Sequence, residues 1–456
     1  MKKTLLFFTL LATLCISGCN KQSNNNEESP SSSSGIDYAP IDKEIESSYN
    51  YFMATTNLKE GSPGFGLTQD RLTNASMASI AATGFLLGSY PVFVEQGLMD
   101  KETAKTYVSN TLDTIIRIQA DSETSYAGCI SHFVYRANGQ RFQTSEVSTI
   151  DTAILVCGAI TASEYFKGDL IEKANTIWGN VDYTKFVVTK NSKQYISMGV
   201  DQPEDGKQLS PWDYYAEQLM IYILGVGNPV ASHRISSTFY KSITKNKNSY
   251  GQGDKYIYSW YGSLFTYQYS HAFFNFKMYN DYKGVNYFRN SVSASKAAYD
   301  YCQDRAEYFK TFSDSAWGLT ACDTPLGYSG LLGTPPRGYA GNDVNYTRIE
   351  GTVAPTAAIG SLPFTPEESY RALANYLSIV PLNHPTYGIK DSYNLDFNGA
   401  EWYCSDIIGI DKGIEVMQLY NFKNTDFISN LAMQNENVIR GFVDNDFVEV
   451  DNGVQE

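Results

Sequence analysis

Apolar residues recur at three- and four-residue spacings along most of this 456-residue chain, and strict alternation is scarce. The run TNASMASIAATGFLLGSYPVFVEQG predicts a helix entered from an N-cap at Thr73 or Asn74. DKETAKTYVSNTLDTIIRIQA predicts the next, with Asp100 as its N-cap and Glu102 in its first turn. Its Ala104, Val108, Leu112, Ile115 and Ile116 share one face. The same periodicity predicts helices over 148–166, 168–178, 212–226, 264–281, 286–304, 354–360, 366–380 and 411–421. Only YISMGV and FVEV read as strands.

These helices fall in pairs separated by long loops rich in Gly, Pro, Asp and aromatic residues. Successive helical hairpins packed side by side have this layout. About a dozen helices in one domain predict an all-α toroid of inner and outer helices over residues 37–456, with function on the loops over one end. No second low-complexity linker divides the region.

The N-terminal segment has a different character. MKKTLLFFTLLATLCISG, residues 1–18, is a basic start followed by an apolar core shorter than the ~20 residues needed to span a bilayer. It reads as a signal peptide. Ile16-Ser17-Gly18-Cys19 resembles the bacterial lipobox, so Cys19 is the expected lipidation site and a membrane anchor is expected. Residues 19–36, polar and Ser/Asn-rich, read as a flexible tether. The expected location is the cell envelope, as an outer-membrane lipoprotein facing the periplasm or the surface.

Composition narrows the partners. A formal charge of −14 argues against nucleic acid, which is held by clustered Lys and Arg. The seven cysteines include Cys15 and Cys19; the other five are irregularly spaced and form neither a zinc pattern nor a dense disulfide framework. No cofactor or metal is expected, and the expected state is a monomer. The chain holds 35 Tyr, 24 Phe and 5 Trp, side chains that stack on flat apolar faces while Tyr and Trp also hydrogen-bond. Sugar rings present such faces, although a Tyr-rich core has the same composition.

Several clusters carry candidate chemistry. In SEVSTIDTAILVCGAI, Glu146 and Asp151 stand at the mouth of an apolar helix. Ser148 followed by Asp151 fits a loose capping box, and a catalytic rim is the alternative. Glu217, in PWDYYAEQLMIYILGVGNP, lies beside Trp212, Tyr214 and Tyr215 at the start of a helix apolar nearly all round. It reads as a carboxylate on a helix dipole, or as a desolvated general acid. His271 follows an aromatic stretch and reads more readily as a core histidine than as a base. Trp317, Asp323 and Tyr328, on a turn-rich stretch, form a sugar-recognition set, or a loop packed on its own aromatics. Trp212, Tyr215, His271, Glu350, Arg71, Trp402 and Asp411 complete the candidates for substrate contact. No GxSxG elbow, P-loop or HExxH occurs.

In order along the chain, TQDRLTNASMASIAATGF, EVSTIDTAIL, YYAEQLMIYILGVGNP, LFTYQYSHAFFNFK, YFRNSVSASKAAYDYC, WGLTACDTPLGY, GTVAPTAAIGSLPFTPE and IIGIDKGIEVMQLYNF resemble the bacterial glucoamylase-like proteins. The resemblance covers roughly residues 45–425 and includes glycoside hydrolase family 144, the β-1,2-glucanases. It implies an (α/α) toroid of six helical hairpins and inverting hydrolysis of β-linked glucans, most specifically β-1,2-glucan. It also implies Glu217 as an acid, matching Y-x-E-x-L-x-x-Y, with Glu146 and Asp151 matching E-x-S-x-I-D-T-A. In the catalytic arrangement expected from this, Asp151 caps the helix, Glu146 is free to reach sugar or water, and Asp323 and Asp411 are reserve bases. An inverting site needs an acid and a base on opposite sides of the bond, about 6.5–9.5 Å apart. Glu350-Gly351-Thr352 departs from the Asp-Gly-Thr of many relatives, and Asn228-Pro229-Val230 departs from their Ser-Pro-Thr-His-Pro. A glycan-binding lipoprotein that has lost turnover is the alternative.

Overall fold

Hydrophobic patterning sorts the helices into two kinds. The computed structural model describes residues 36–339 and 351–450. The expected signal peptide, Cys19, nearly all of the expected tether and Glu350 lie outside the described residues. From Tyr38 onward the chain is one compact unit. Its helices are α1 (Ala39–Thr55), α2 (Ile80–Glu95), α3 (Lys101–Gln119), α4 (Thr149–Phe166), α5 (Asp169–Gly179), α6 (Leu219–Gly227) and α7 (Thr238–Ser242). They continue with α8 (Tyr269–Phe273), α9 (Tyr287–Asp304), α10 (Pro355–Ile359), α11 (Pro366–Ser378), α12 (Gly409–Lys423), α13 (Phe427–Ala432) and α14 (Glu436–Asp444).

Even-numbered helices through α12 are buried nearly all round, whereas α1, α3, α5, α9 and α11 bury one apolar face each. A helix apolar on every side must be surrounded, and an amphipathic one covers it from outside. Pairing α1 with α2, and so on to α11 with α12, gives six hairpins of an outer and an inner helix. Helix α4 packs on α2 and α6, Met220 N–H of α6 donates to Ser270 Oγ of α8 (3.2 Å), Gln268 Nε2 just before α8 donates to Ala357 O of α10 (2.8 Å), α10 packs on α12, and α12 packs on α2, closing the ring. The fold is an all-α (α/α) toroid, as the sequence implies.

The tightest joint lies between α2 and α4. A Cβ on Gly158 would stand 1.9 Å from the Gly84 carbonyl oxygen, and one on Gly84 would stand 2.5 Å from Leu155 Cα. Only two glycines allow these backbones to approach so closely.

Local competition moves several boundaries. Helix α2 begins at Ile80 rather than near Asn74, because Met77–Ser79 pairs with Phe133–Tyr135 and Ser79 becomes the N-cap. The helix expected over 212–226 begins only at Leu219. Its first residues are drawn into extended pairing, with Trp212 N–H donating to Ile196 O (2.8 Å) and Tyr215 N–H to Thr244 O (3.0 Å). The expected helix over 264–281 breaks into a 3-10 turn (Leu264–Tyr267), α8 and a second turn (Phe276–Met278), because Phe274 is extended. Asp100 caps α3, accepting from the N–H groups of Glu102 and Thr103 at 3.0 Å each. YISMGV divides between two ladders: Lys193–Ile196 pairs with Val187–Lys190, and Gly199–Val200 pairs with Val147–Ser148. FVEV supplies Val448–Glu449, paired with Tyr279–Asn280. No helix among the described residues is long and apolar enough to cross a membrane.

Candidate active site

All six inner helices bring their N-terminal ends to one cavity of about 510 Å³. Its lining includes Ala81 at the start of α2, Ile150 and Asp151 of α4, and Glu217 just before α6. Gln268 and Tyr269 enter at α8, Thr356 at α10, and Ile410 and Asp411 at α12. Asp70, Arg71, His132, Phe133, Phe265 and Tyr328 arrive from the connecting segments. Converging helix N-termini favour negative charge, so this end of the toroid suits carboxylates.

Glu217 is buried, and its backbone carbonyl is fixed by the Ser270 hydroxyl at 2.7 Å. Burial pushes its carboxyl up to about 7; its own backbone N–H opposes this in part, and the charge of Asp151 adds to the rise. The acid is therefore still about half protonated near pH 7 and faces a cavity it shares with Asp151.

Asp151 sits in the first turn of α4. Ser148, the N-cap, accepts from Asp151 N–H at 3.3 Å, and its hydroxyl donates to Asp151 Oδ2. This is the capping arrangement, with the carboxylate also lining the cavity. Asp151 Oδ1 lies 3.4 Å from His132 Nε2, and His132 Nδ1 lies 2.9 Å from Glu146 Oε1. The imidazole stacks on Phe133, with centroids 3.8 Å apart. Burial alone would depress the imidazole, but Asp151, the hydrogen-bonded Glu146 and Asp70 outweigh it and push it up to about 9. Glu146 does not line the cavity. Burial would raise its carboxyl, yet His132 holds it below the usual range. The expectation that Glu146 is free to reach substrate fails, because His132 engages it.

A second charged group centres on Arg71. Arg71 reaches Asp70 at 3.3 Å, Asp323 at 3.1 Å and Asp406 at 3.4 Å. Asp391 Oδ2 accepts from Asp323 N–H (2.7 Å) and the Ser392 hydroxyl (2.9 Å). Asp391 Oδ1 and Asp411 Oδ2 are buried without a conventional donor, and the two carboxyls are hydrogen-bonded to one another. Burial raises both: at Asp391 the charge of Asp323 adds to the rise, which reaches about 7, and at Asp411 the charges of Asp391 and Glu415 add to it. Asp323, Asp391 and Cys404 place possible ligand atoms within 4.8 Å of one another, and the Arg71 guanidinium already pairs with Asp323.

Other sequence candidates stand elsewhere. Trp212 is buried with its indole N–H on Thr149 Oγ1 at 3.2 Å, and Tyr215 is fully buried against Tyr287. Trp317 is fully buried, its indole N–H on Glu368 O at 3.3 Å. His271 packs among Phe276, Phe288 and Phe364 beside Ser291, and burial depresses it to about 3. None of these four lines the cavity, so they act as core residues rather than as sugar contacts. Half-buried Trp402 sits opposite Asn394 in the Tyr393–Phe397/Ala400–Tyr403 hairpin and is also absent from the lining. The structure brings Arg71, Asp151, Glu217, Tyr328 and Asp411 to the cavity, with Asp323 bonded to Arg71 behind it. Sequence reasoning missed Asp70, His132, Asp391 and Asp406. No spacing marks them, because each meets its partners through the fold.

A helical toroid with a carboxylate-rich cavity over the inner helix ends is the glucoamylase-like class of fold. Residues 210–436 match the family described as "Putative glucoamylase". The exo β-1,2-glucooligosaccharide sophorohydrolase of Parabacteroides distasonis is 25% identical over 447 residues, covering 88% of this chain and 57% of its own length. The chain thus spans little more than half of that relative. Among solved structures, the endo-β-1,2-glucanase of Chitinophaga pinensis superposes with a TM-score of 0.75 at 20% identity, covering 91% of this chain and 99% of that one. The β-1,2-glucanase of P. distasonis gives 0.73 at 22%, covering 89% of this chain and 60% of that one. The resemblance read from the ordered segments is thus shown at the level of family likeness and fold.

Proposed function

We propose that the protein is an inverting glycoside hydrolase acting on β-1,2-linked glucans or their oligosaccharides. One observation carries this reading: a buried acid still about half protonated near pH 7, Glu217, shares a cavity with a capped carboxylate, Asp151. Glu217 donates its proton to the glycosidic oxygen as the C–O bond breaks. Asp151 takes a proton from the water that attacks the anomeric carbon from the opposite face, inverting its configuration. Phe133, Phe265 and Tyr269 offer flat faces for sugar rings, and Arg71 with its acids offers hydrogen bonds to hydroxyls. The name of the sophorohydrolase relative supports the β-1,2 linkage.

Release of reducing ends from β-1,2-glucan, with β-1,3-, β-1,4- and α-1,4-glucans as comparisons, tests the reading. Turnover of the β-1,2 polymer or its oligosaccharides is expected. Binding without turnover would favour a glycan-binding protein, and neither would reject both. The lipobox-like segment supports attachment to the envelope through Cys19. Metabolic palmitate labelling that persists in Cys19→Ala would reject that attachment.

A further inference from the structure

We propose that His132 is a standing imidazolium that positions Asp151 for its work, with Glu146 holding the ring in place from behind. The inference rests on the hydrolase reading and adds a positioning residue and its support.

Each ring nitrogen of His132 faces a carboxylate oxygen, Nδ1 at 2.9 Å from Glu146 Oε1 and Nε2 at 3.4 Å from Asp151 Oδ1. A carboxylate only accepts, and a neutral imidazole has one N–H. Nδ1 makes a hydrogen bond to Glu146 and so carries hydrogen, and Nε2, in ion-pair range of Asp151, meets a second acceptor-only group that a ring charged on both nitrogens suits. Phe133 fixes the ring plane from one side by stacking at 3.8 Å. The ring cannot rotate without losing this face and both carboxylates.

The charged surroundings agree from every side. Asp151 comes from α4, Glu146 from the segment before it, and Asp70 from the segment before α2. The cations nearby are Arg71, bonded to Asp70, and Arg141, whose charge acts on Glu146. The nearest partners of His132 are thus all acidic. Ser148 orients one oxygen of Asp151 from the helix cap while His132 aligns the other. Glu146, which does not line the cavity, acts only through the ring.

Two variants and two readouts test this. NMR titration of the four histidines, with His132→Gln identifying its resonance, reads the imidazole directly and needs no activity. The wild-type His132 signal should remain protonated through pH 7. Glu146→Gln should lower its titration by about one unit or more through loss of one facing charge. In assays on β-1,2-glucan oligosaccharides, His132→Gln should lower kcat by about 10²-fold with little change in KM, because a misaligned group costs rate more than binding. A wild-type His132 that titrates below pH 6.5 would overturn the proposal whatever the activity. So would a His132→Gln enzyme with an unchanged kcat, or one whose loss of activity lies in KM alone. An inactive wild type with His132 protonated at pH 7 would instead overturn the hydrolase reading and, with it, the positioning role, leaving the paired imidazolium as structure alone.

Discussion

A single carboxyl shows how function and stability are set against each other at the scale of one residue. Glu217 is ordinary at 4.5 when exposed and stands at about 7 when folded. Below about 4.5 both states are protonated and the shift contributes nothing. Between 4.5 and 7 the folded state keeps a proton that the unfolded state releases, so stability falls as pH rises. Above 7 the loss is constant, up to about 3 kcal/mol. Glu217→Gln should therefore be more stable than wild type at pH 8 and gain nothing at pH 4, as chemical denaturation at both pH values would show. An equal gain at both would mean that the carboxyl is not desolvated. Ser148→Ala should cost about 0.5–2 kcal/mol through loss of the α4 cap, measured by urea unfolding, and it should also lower activity by freeing one oxygen of Asp151. Glu217 was visible in the sequence because an acid beside an apolar run is conspicuous. His132 was not, since its partners at 146 and 151 meet it only after Phe133 pairs back onto Met77–Ser79.

At the scale of elements, the inner helices were legible because burial on every side leaves an unbroken apolar run. Helices α2 and α4 were read from such runs, and α3 from its single apolar face. The errors fell where a side ladder took residues that periodicity assigned to a helix. Residues 212–218 are the clearest case: their backbone pairs with Ile196 and Thr244, and this delay sets Glu217 at the helix mouth rather than inside it. Trp212 and Tyr215 then turn into the core, which is why their aromatic character misled as a sugar signal. The joint between α2 and α4 positions Asp151 against the rest of the ring. Gly158→Ala pushes a methyl into the Gly84 carbonyl, a clash with backbone that no rotamer relieves. It should cost about 1–3 kcal/mol or more, and calorimetry should show a lowered Tm. An unchanged Tm would mean that the helices are not held in this contact.

Over the whole molecule, the ring closes where α12 meets both α1 and α2, and buried charge sits at that seam. Lys412 of α12 bonds to Glu44 of α1 and, at 3.0 Å, to Glu415. All three side chains are almost wholly buried. Lys412→Met leaves two buried carboxyls without a cation and should cost about 3–5 kcal/mol near neutrality. Urea denaturation of the variant and the wild type at pH 7 measures the loss, and an unchanged midpoint would mean that the seam does not depend on this cation. The six-hairpin toroid was readable from the order of segments, whereas the seam was not, because nothing near Lys412 in sequence points to Glu44. This closed scaffold directs all six inner helix ends at one cavity, and the account assigns the decisive proton there to Glu217. The most direct test compares wild type with Glu217→Gln on β-1,2-glucan oligosaccharides, measuring product release and, by calorimetry, affinity. Turnover should vanish in the variant while affinity stays nearly unchanged, because the amide keeps the shape but has no acidic proton to give. Near-normal turnover in Glu217→Gln would contradict the account.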